Sequence, residues 1–361
     1  MWWRSEFVLL RTKLVARSAT HWFQPSTLCL TALNRMNRGF FLASILLASS
    51  LTSLFVCAQA AGCEMETIAT VKIGKQSRVP ILAGRLNEYP LMAILDTGAS
   101  QTVLFGSFTK KTSLDVRFVD HLRSGGIGGL GDTGYVHADA FSFGPLWAKN
   151  IDLNVIMKDR AGVDALLGVD VLFSKYDLEL AMSDGQIRFF DPVNCDDAFL
   201  AYWDKSASVV AMTRVSVRDP RRLITLQVNG KSAHALIDSG ADRSVVDANF
   251  ARLIGLLDDS VDQSKKGTLV GAGPHALDFA VVPVKKIVIG NEVIRDTKIA
   301  VAEILRATVE DQSFSPSQRR QTRAFDMVLG EDFLTAHRVL FAVSQERFYF
   351  SYLGGRVFAV D

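Results

Sequence analysis

The sequence AILDTGAS (93–100) decides the fold of this chain, because it places an aspartate directly after a buried strand. Its first three apolar residues leave no polar face, so a strand here has both faces in the interior. Gly98 then permits a sharp turn just after Asp96. The stretch therefore predicts a carboxylate held on a tight loop at the end of a buried strand.

The same arrangement occurs a second time, as ALIDSGAD (235–242), where Asp238 takes the place of Asp96. Apolar run, aspartate, hydroxyl residue, glycine and alanine follow in the same order. One such loop is typical of a capped turn. Two in one chain indicate a pair of carboxylates that meet.

Further segments repeat after each aspartate, in the same order. Each copy has a glycine cluster, a strand–turn–strand segment and a Leu-Gly-x-Asp element, and then a closing hairpin. The paired segments are 124–131 and 267–273, 141–156 and 287–304, and LLGVDVL (166–172) and VLGEDFL (328–334). Repeats of this size predict two duplicated domains rather than the units of a solenoid.

Length and composition allow two cores, since the chain has 361 residues and is 48% hydrophobic. The net charge is +2, so nothing in the balance indicates a nucleic-acid partner. The predicted division is a leader with a signal peptide (1–60), a first lobe (64–195), a linker (196–221) and a second lobe (222–361).

The leader contains a secretory signal. After Met36, which we take as the true start, a short basic segment precedes an apolar stretch over 39–56 and the cleavage tripeptide Ala58-Gln59-Ala60. The prediction is an exported protein, periplasmic or secreted. An organelle transit peptide over 1–35, a lipoprotein signal ending at Cys63 and an uncleaved anchor remain alternatives. In the predicted exported protein, the chain contacts a membrane only through the leader, if the leader is not cleaved.

Two cysteines remain after cleavage, Cys63 and Cys195. An exported chain with two cysteines can form one disulfide, which would join the mature N-terminus to the end of the first repeat. Two unpaired thiols are the alternative.

Two aspartates on facing turns suit hydrolysis by an activated water. If Asp96 and Asp238 lie within hydrogen-bonding range, they cannot both ionise easily and share a proton. One carboxylate then acts as general base on water while the other protonates the substrate oxygen. The hydroxyls of Thr97 and Ser239 could connect the two loops. Asx turns with a structural role only are the alternative.

The two Asp loops and the two Leu-Gly elements resemble those of retropepsin-like aspartic proteases, over roughly 78–192 and 222–355. The resemblance implies an all-β fold: two retropepsin-like β-barrel lobes in tandem, pseudo-twofold and in a pepsin-like arrangement. It implies an aspartic endopeptidase with the dyad Asp96 and Asp238, supported by Thr97, Gly98, Ser239 and Gly240. The implied substrate is a protein or peptide, the implied state a monomer with an intramolecular pseudo-dimer, and no cofactor or metal is implied.

The glycine clusters lie where this family has its flap, the hairpin that covers the substrate. The flap candidates are Gly126, Ile127 and Gly128 in the first copy and Gly271 and Ala272 in the second. Which of them closes is left open. A catalytically silent module that binds peptides or cell-wall polymers in the same cleft, and an enzyme that works as an intermolecular dimer, are alternative interpretations.

Other motifs carry less information. Asp132-Thr133-Gly134 repeats the triplet, but no apolar run precedes it, so we predict a loop. Gly126, Gly128 and Gly131 fit the spacing of a dinucleotide-binding loop, but no helix pattern follows them. No HExxH or GxSxG motif is present, which gives no support for a zinc hydrolase or a serine hydrolase.

Overall fold

The computed structural model describes residues 62–73, 79–257, 267–304 and 325–358. The predicted leader, its start at Met36 and the signal peptide lie outside these residues. None of the helices in the described ranges has the length and apolar character needed to cross a membrane.

The described residues form two copies of one plan, a first copy (64–193) and a second copy (208–352), each with ten strands and two short helices. The first copy consists of β1 (Glu64–Lys72), β2 (Ile81–Leu86), β3 (Tyr89–Leu95), β4 (Val103–Phe105), α1 (Gly106–Thr112), β5 (Arg117–Gly126), β6 (Gly129–Phe143), β7 (Leu146–Ile156), β8 (Ala165–Leu167), α2 (Val169–Leu172), β9 (Asp177–Ala181), a 3₁₀ turn (Met182–Asp184) and β10 (Gln186–Val193). The second copy consists of β11 (Ser208–Ser216), β12 (Asp219–Val228), β13 (Lys231–Ile237), β14 (Val245–Asp247), α3 (Ala248–Leu253), β15 (Gly267–Val270), β16 (Ala276–Ile289), β17 (Glu292–Ala302), β18 (Met327–Leu329), α4 (Glu331–Leu334), β19 (His337–Ala342) and β20 (Arg347–Tyr352).

Each copy closes into a six-stranded barrel. The first barrel has the strand order β2-β3-β8-β4-β7-β6 and closes where Leu86 of β2 pairs with Phe141 of β6. The second barrel has the order β12-β13-β18-β14-β17-β16 and closes where Val228 pairs with Ile287. β5 and β15 extend β6 and β16 beyond the barrels as hairpins.

The end of the strand before each Asp loop lies in the core of its barrel. Residues 93–95 of β3 and 235–237 of β13 are each at most 2% exposed. Each strand pairs in parallel with a second buried strand, β3 with β8 and β13 with β18. The prediction of a buried strand that leads into each aspartate is therefore confirmed.

The hairpin before the second loop also follows from its sequence. Asn229 and Gly230 join β12 to β13, and both have positive φ, 48° and 80°. Two such residues form the turn that matches the twist of paired strands, and asparagine and glycine adopt positive φ at low cost.

A third sheet joins the copies, with the order β1-β10-β9-β19-β20-β11. Its central strands come one from each copy, with Leu178 of β9 opposite Phe341 of β19 and Leu180 opposite Val339. The order is unchanged when the copies are exchanged, which is the pseudo-twofold arrangement expected. The all-β fold with two barrel lobes in tandem is confirmed.

Two further features lie at the ends of the copies. Residues 208–216, predicted as part of the linker, form β11, which pairs with β12 and β20.

Cys63 and Cys195 are joined by a disulfide, with their Cα atoms 4.5 Å apart. The exact bounds of leader, lobes and linker stay predictions.

Candidate active site

The two predicted aspartates occupy equivalent positions at the ends of equivalent strands. Asp96 follows β3, and its backbone N–H donates to the carbonyl of Leu167 at 3.0 Å. Asp238 follows β13, and its N–H donates to the carbonyl of Leu329 at 2.9 Å. Each loop therefore leaves its barrel from a position fixed by the neighbouring parallel strand.

Thr97 and Ser239 join the two loops by four reciprocal hydrogen bonds. Thr97 Oγ1 donates to the carbonyl of Ile237 at 2.8 Å and accepts from the N–H of Ser239 at 3.0 Å. Ser239 Oγ donates to the carbonyl of Leu95 at 2.7 Å and accepts from the N–H of Thr97 at 3.1 Å. Because both hydroxyls are fully buried, no water competes for these bonds.

Gly98 and Gly240 let each loop approach the opposite carboxyl group. A Cβ atom on Gly98 would lie 2.2 Å from Cγ of Asp238, and one on Gly240 would lie 2.4 Å from Cγ of Asp96. The same glycines donate their N–H groups to the aspartate of their own loop, at 2.9 and 2.8 Å. Any side chain at either glycine would displace the carboxyl of the other copy.

The environment favours the protonated form of this pair. Burial raises the pKa of Asp96 well above its usual range, and the neighbouring Asp238 charge raises it further. Burial also raises the pKa of Asp238, while hydrogen bonds from Asp96, Gly240 and Ala241 oppose the rise. Two partly buried carboxyls this close together share one proton, and their titration belongs to the pair.

The aspartate of each Leu-Gly-x-Asp element accepts hydrogen bonds from the residues that follow the Asp loop of the same copy. Asp170 Oδ1 accepts from the N–H and the hydroxyl of Thr102 at 2.9 and 2.8 Å. Asp332 Oδ1 accepts from the N–H and the hydroxyl of Ser244 at 2.8 and 2.6 Å. Sequence reasoning assigned these aspartates no contact, although their recurrence at the same place in both copies was the available signal.

Burial raises the pKa of Asp332 to about 6, against the hydrogen bonds from Ser244. Burial likewise raises the pKa of Asp170, against the hydrogen bonds from Thr102.

The second copy places two more charged groups near its loop. Arg221 forms an ion pair with Asp219 at 2.6 Å, and its Nη1 donates to the carbonyl of Gly98 at 3.4 Å. Its positive charge opposes the rise in the pKa of Asp238. Glu331 is 2% exposed, and its N–H donates to the carbonyl of Ala241 at 2.9 Å.

Burial raises the pKa of Glu331 well above its usual range. The first copy has Val169 at the corresponding position, so the surroundings of the two aspartates differ.

Both glycine clusters form hairpin tips, and the two tips are in contact. Flap 1 is the β5–β6 hairpin, with Ile127 and Gly128 at its tip, and flap 2 is the β15–β16 hairpin, with 271–275 at its tip. Backbone hydrogen bonds run from Gly273 N to Ile127 O at 2.9 Å and from His275 N to Gly128 O at 3.0 Å. All five predicted flap residues therefore lie at one junction between the copies.

The third Asp-Thr-Gly triplet differs from the prediction. Asp132 was expected in a loop, but it lies within β6, in flap 1, opposite Arg123 of β5. The prediction of a loop is wrong because it relied on the lack of a preceding apolar run, whereas pairing with β5 and β7 keeps the segment extended. Asp132 is thus separate from the paired carboxyls.

Within the described ranges, no group of three or more His, Cys, Asp or Glu side chains is arranged to hold a metal ion.

A comparison with protein families places the chain in one of them. A family model described as aspartyl protease matches residues 82–171 and 224–333, together more than half of the chain. The chain belongs to the aspartyl protease family. Each matched region contains one Asp loop and one Leu-Gly-x-Asp element, so the family motif is present twice.

The chain is also similar to a solved structure, a retropepsin-like aspartic protease from Rickettsia conorii. The identity is 16% over 37% of this chain and 96% of that chain, with a TM-score of 0.27. A comparison with curated proteins finds no match.

Proposed function

We propose that this aspartyl protease family member is an aspartic endopeptidase whose dyad is Asp96 and Asp238. The observation that carries the proposal is the reciprocal approach of the loops, with each glycine against the other copy's carboxyl. Support also comes from the hydroxyl pair Thr97 and Ser239, which holds the loops in register. A purely structural pair of turns would not need two partly buried carboxyls this close together.

The dyad cleaves the peptide bond in two steps, and each step transfers two protons. The ionised carboxylate removes a proton from a water held between the pair, and that water attacks the carbonyl carbon. The protonated carboxyl donates its proton to the carbonyl oxygen, which gives a tetrahedral diol. In the second step, the carboxyl that took the proton from water gives it to the leaving nitrogen, the C–N bond breaks, and one hydroxyl of the diol returns a proton to the other carboxylate. The dyad ends with one proton, as it began.

The test is cleavage of a peptide library by the mature protein at several pH values. Asp96→Asn and Asp238→Asn should each reduce kcat/KM by several orders of magnitude, and the double variant should lose little more, because the pair acts as one unit. The pH–rate profile should be bell-shaped, with limbs that belong to the pair. Folding should persist, since asparagine retains the loop hydrogen bonds.

Asp184→Asn is the matched control, because Asp184 is exposed in the turn between β9 and β10. It should retain full activity. Full activity in a folded Asp238→Asn protein would exclude the shared dyad. Peptide binding without cleavage in the unmodified protein would favour the silent binding module.

The remaining parts of the proposal concern the setting of the reaction. The substrate is a protein or peptide, and one chain supplies both halves of the site, so the active species is a monomer.

We infer export to the periplasm or the exterior from the leader, with a mature N-terminus near Ala61. N-terminal sequencing of the exported protein tests this, and a first residue before Gly39 would contradict it.

A further inference from the structure

Lys158 of the first copy contacts the tip of flap 2. It lies just beyond β7, and its Nζ donates to the carbonyls of Gly271 and Gly273, both at 2.7 Å. A partly buried ammonium group needs such acceptors, and two backbone carbonyls hold it in one geometry. Flap 2, which belongs to the second copy, is therefore bound to the first copy by a charged side chain.

The contact between the flap tips leaves little free space. A Cβ atom on Gly271 would lie 2.5 Å from the carbonyl oxygen of Ile127, and one on Gly273 would lie 2.3 Å from the carbonyl carbon of Gly128. One flap must therefore move away before anything can pass between them. The two backbone hydrogen bonds between the tips break whichever flap moves, so they do not decide which flap opens.

The apolar contacts of the two tips are unequal. Ile127 of flap 1 packs against the buried cluster of the second copy that includes Val245 and Val328. Ala272 of flap 2 packs against the cluster of the first copy that includes Ile94 and Leu166. Alanine has a single methyl group where isoleucine has four carbons, so flap 2 gains less from apolar packing. Lys158 supplies a polar contact on the side where packing is weaker.

We propose that Lys158 is a positioning residue that holds flap 2 in place, so that flap 1 is the flap that opens to admit the substrate. The opening step rests on the proposed endopeptidase function, whereas the docking of flap 2 does not. Flap 1 leaves by exchanging two backbone hydrogen bonds and the Ile127 contact for water. Flap 2 would in addition have to release the two bonds to the ammonium group, which are charge-assisted and stronger.

The test attaches a pair of spin labels for each flap and measures the distance between the two labels by electron paramagnetic resonance. One pair of labels, at His275→Cys and Trp147→Cys, reports the distance from flap 2 to the first barrel. A second pair, at Gly131→Cys and Lys298→Cys, reports the distance from flap 1 to the second barrel. Trp147, His275 and Lys298 are exposed, and a Cβ atom on Gly131 meets no atom within 4 Å.

In the otherwise unmodified protein, flap 2 should give a narrow distance distribution and flap 1 a broad one. Lys158→Met keeps the length of the side chain but removes its donors, and should make the flap 2 distribution at least as broad as that of flap 1. Lys158→Gln, which keeps a donor, should give an intermediate width, and this variant also serves if Lys158→Met does not fold. Lys149→Met, an exposed position on β7, is the matched control and should change neither distribution.

Kinetics give a second measurement. Lys158→Met should raise KM about tenfold, as expected for the loss of charge-assisted hydrogen bonds, with a smaller effect on kcat. An unchanged flap 2 distribution in Lys158→Met, or a flap 1 distribution narrower than that of flap 2 before substitution, would overturn the proposal. Broadened flap 2 distances in a protein that cleaves no peptide would retain the docking role and reject the proposed function instead.

Discussion

At the scale of single residues, the site depends on side chains that hold the loops and do not react. Thr97 and Ser239 each use one hydroxyl as donor and acceptor at the same time, and neither has an exposed atom. Threonine and serine are the short side chains that can do both. Valine has the shape of threonine but can neither donate nor accept a hydrogen bond. The free energy of unfolding should therefore depend strongly on this pair of hydroxyls.

Thr97→Val should lower the free energy of unfolding by about 1–3 kcal/mol, because it leaves the buried N–H of Ser239 and carbonyl of Ile237 without partners. Urea unfolding measures the difference. Thr97→Ser should recover most of it, and Thr70→Val, at an exposed position on β1, should have little effect. Equal losses in Thr97→Val and Thr70→Val would mean that the reciprocal bonds add nothing.

At the scale of elements, the sequence predicts most of what surrounds the aspartates. The β-rich segments 79–84 and 86–95 correspond to β2 and β3, which occupy 81–86 and 89–95. The segments 223–228 and 232–237 correspond to β12 and β13. Buried apolar runs and the Asn229-Gly230 turn are local signals, and local signals are visible in a sequence.

Elements that depend on distant partners were harder to predict. β11 lies in the segment predicted as the linker between the copies, and it is a strand because β12 and β20 lie on either side of it. The role of Lys158 could not be predicted at all. Its acceptors are backbone carbonyls more than a hundred residues away. Every residue has a backbone carbonyl, so the sequence does not show which of them accept a hydrogen bond from Lys158.

The disulfide between Cys63 and Cys195 adds a covalent link to the pairing of β1 with β10. Its reduction, or the variant Cys195→Ala, should lower the free energy of unfolding by about 2–4 kcal/mol, chiefly because the unfolded chain gains conformational freedom. Urea unfolding with and without reductant measures the loss. Peptide mapping without reductant should recover the linked pair, and two freely alkylated thiols in the exported protein would contradict the link.

At the scale of the whole molecule, a buried polar cluster secures the sheet that joins the copies. Glu179 of β9 is fully buried, and its Oε1 accepts from Arg188 at 2.5 Å and from Arg338 of β19 at 2.9 Å. Its Oε2 accepts from the hydroxyl of Tyr202 at 2.7 Å. Because a buried carboxylate is costly unless paired, this cluster favours one alignment of the two central strands.

A second buried acid in this sheet makes stability depend on pH. Asp177 accepts from the N–H and the hydroxyl of Ser344 at 2.9 and 2.8 Å, and burial raises its pKa to about 6. The pKa of Asp332 is raised to about 6 for the same reason. Both acids bind a proton more tightly in the folded chain than in the unfolded chain, where the ordinary value of 3.8 applies. The contribution of these two acids to the free energy of unfolding should therefore fall as pH rises from 3.8 to about 6, and level off above that range.

Urea unfolding across this pH range measures the slope. Asp177→Asn and Asp332→Asn should each flatten it, because asparagine does not titrate, while Asp184→Asn should leave it unchanged. Stability that rises with pH over the same range would contradict the raised pKa values.

Because both copies lie in one chain, the two halves of the site can change independently of each other during evolution. In a homodimer every substitution appears twice, once in each subunit, so the halves of the site stay identical. Here each half is encoded separately. Threonine faces serine, Val169 corresponds to Glu331, and Ile127 corresponds to Ala272. A single gene with two copies can thus acquire a preference for one direction of the substrate chain, which a symmetric pair of subunits cannot encode.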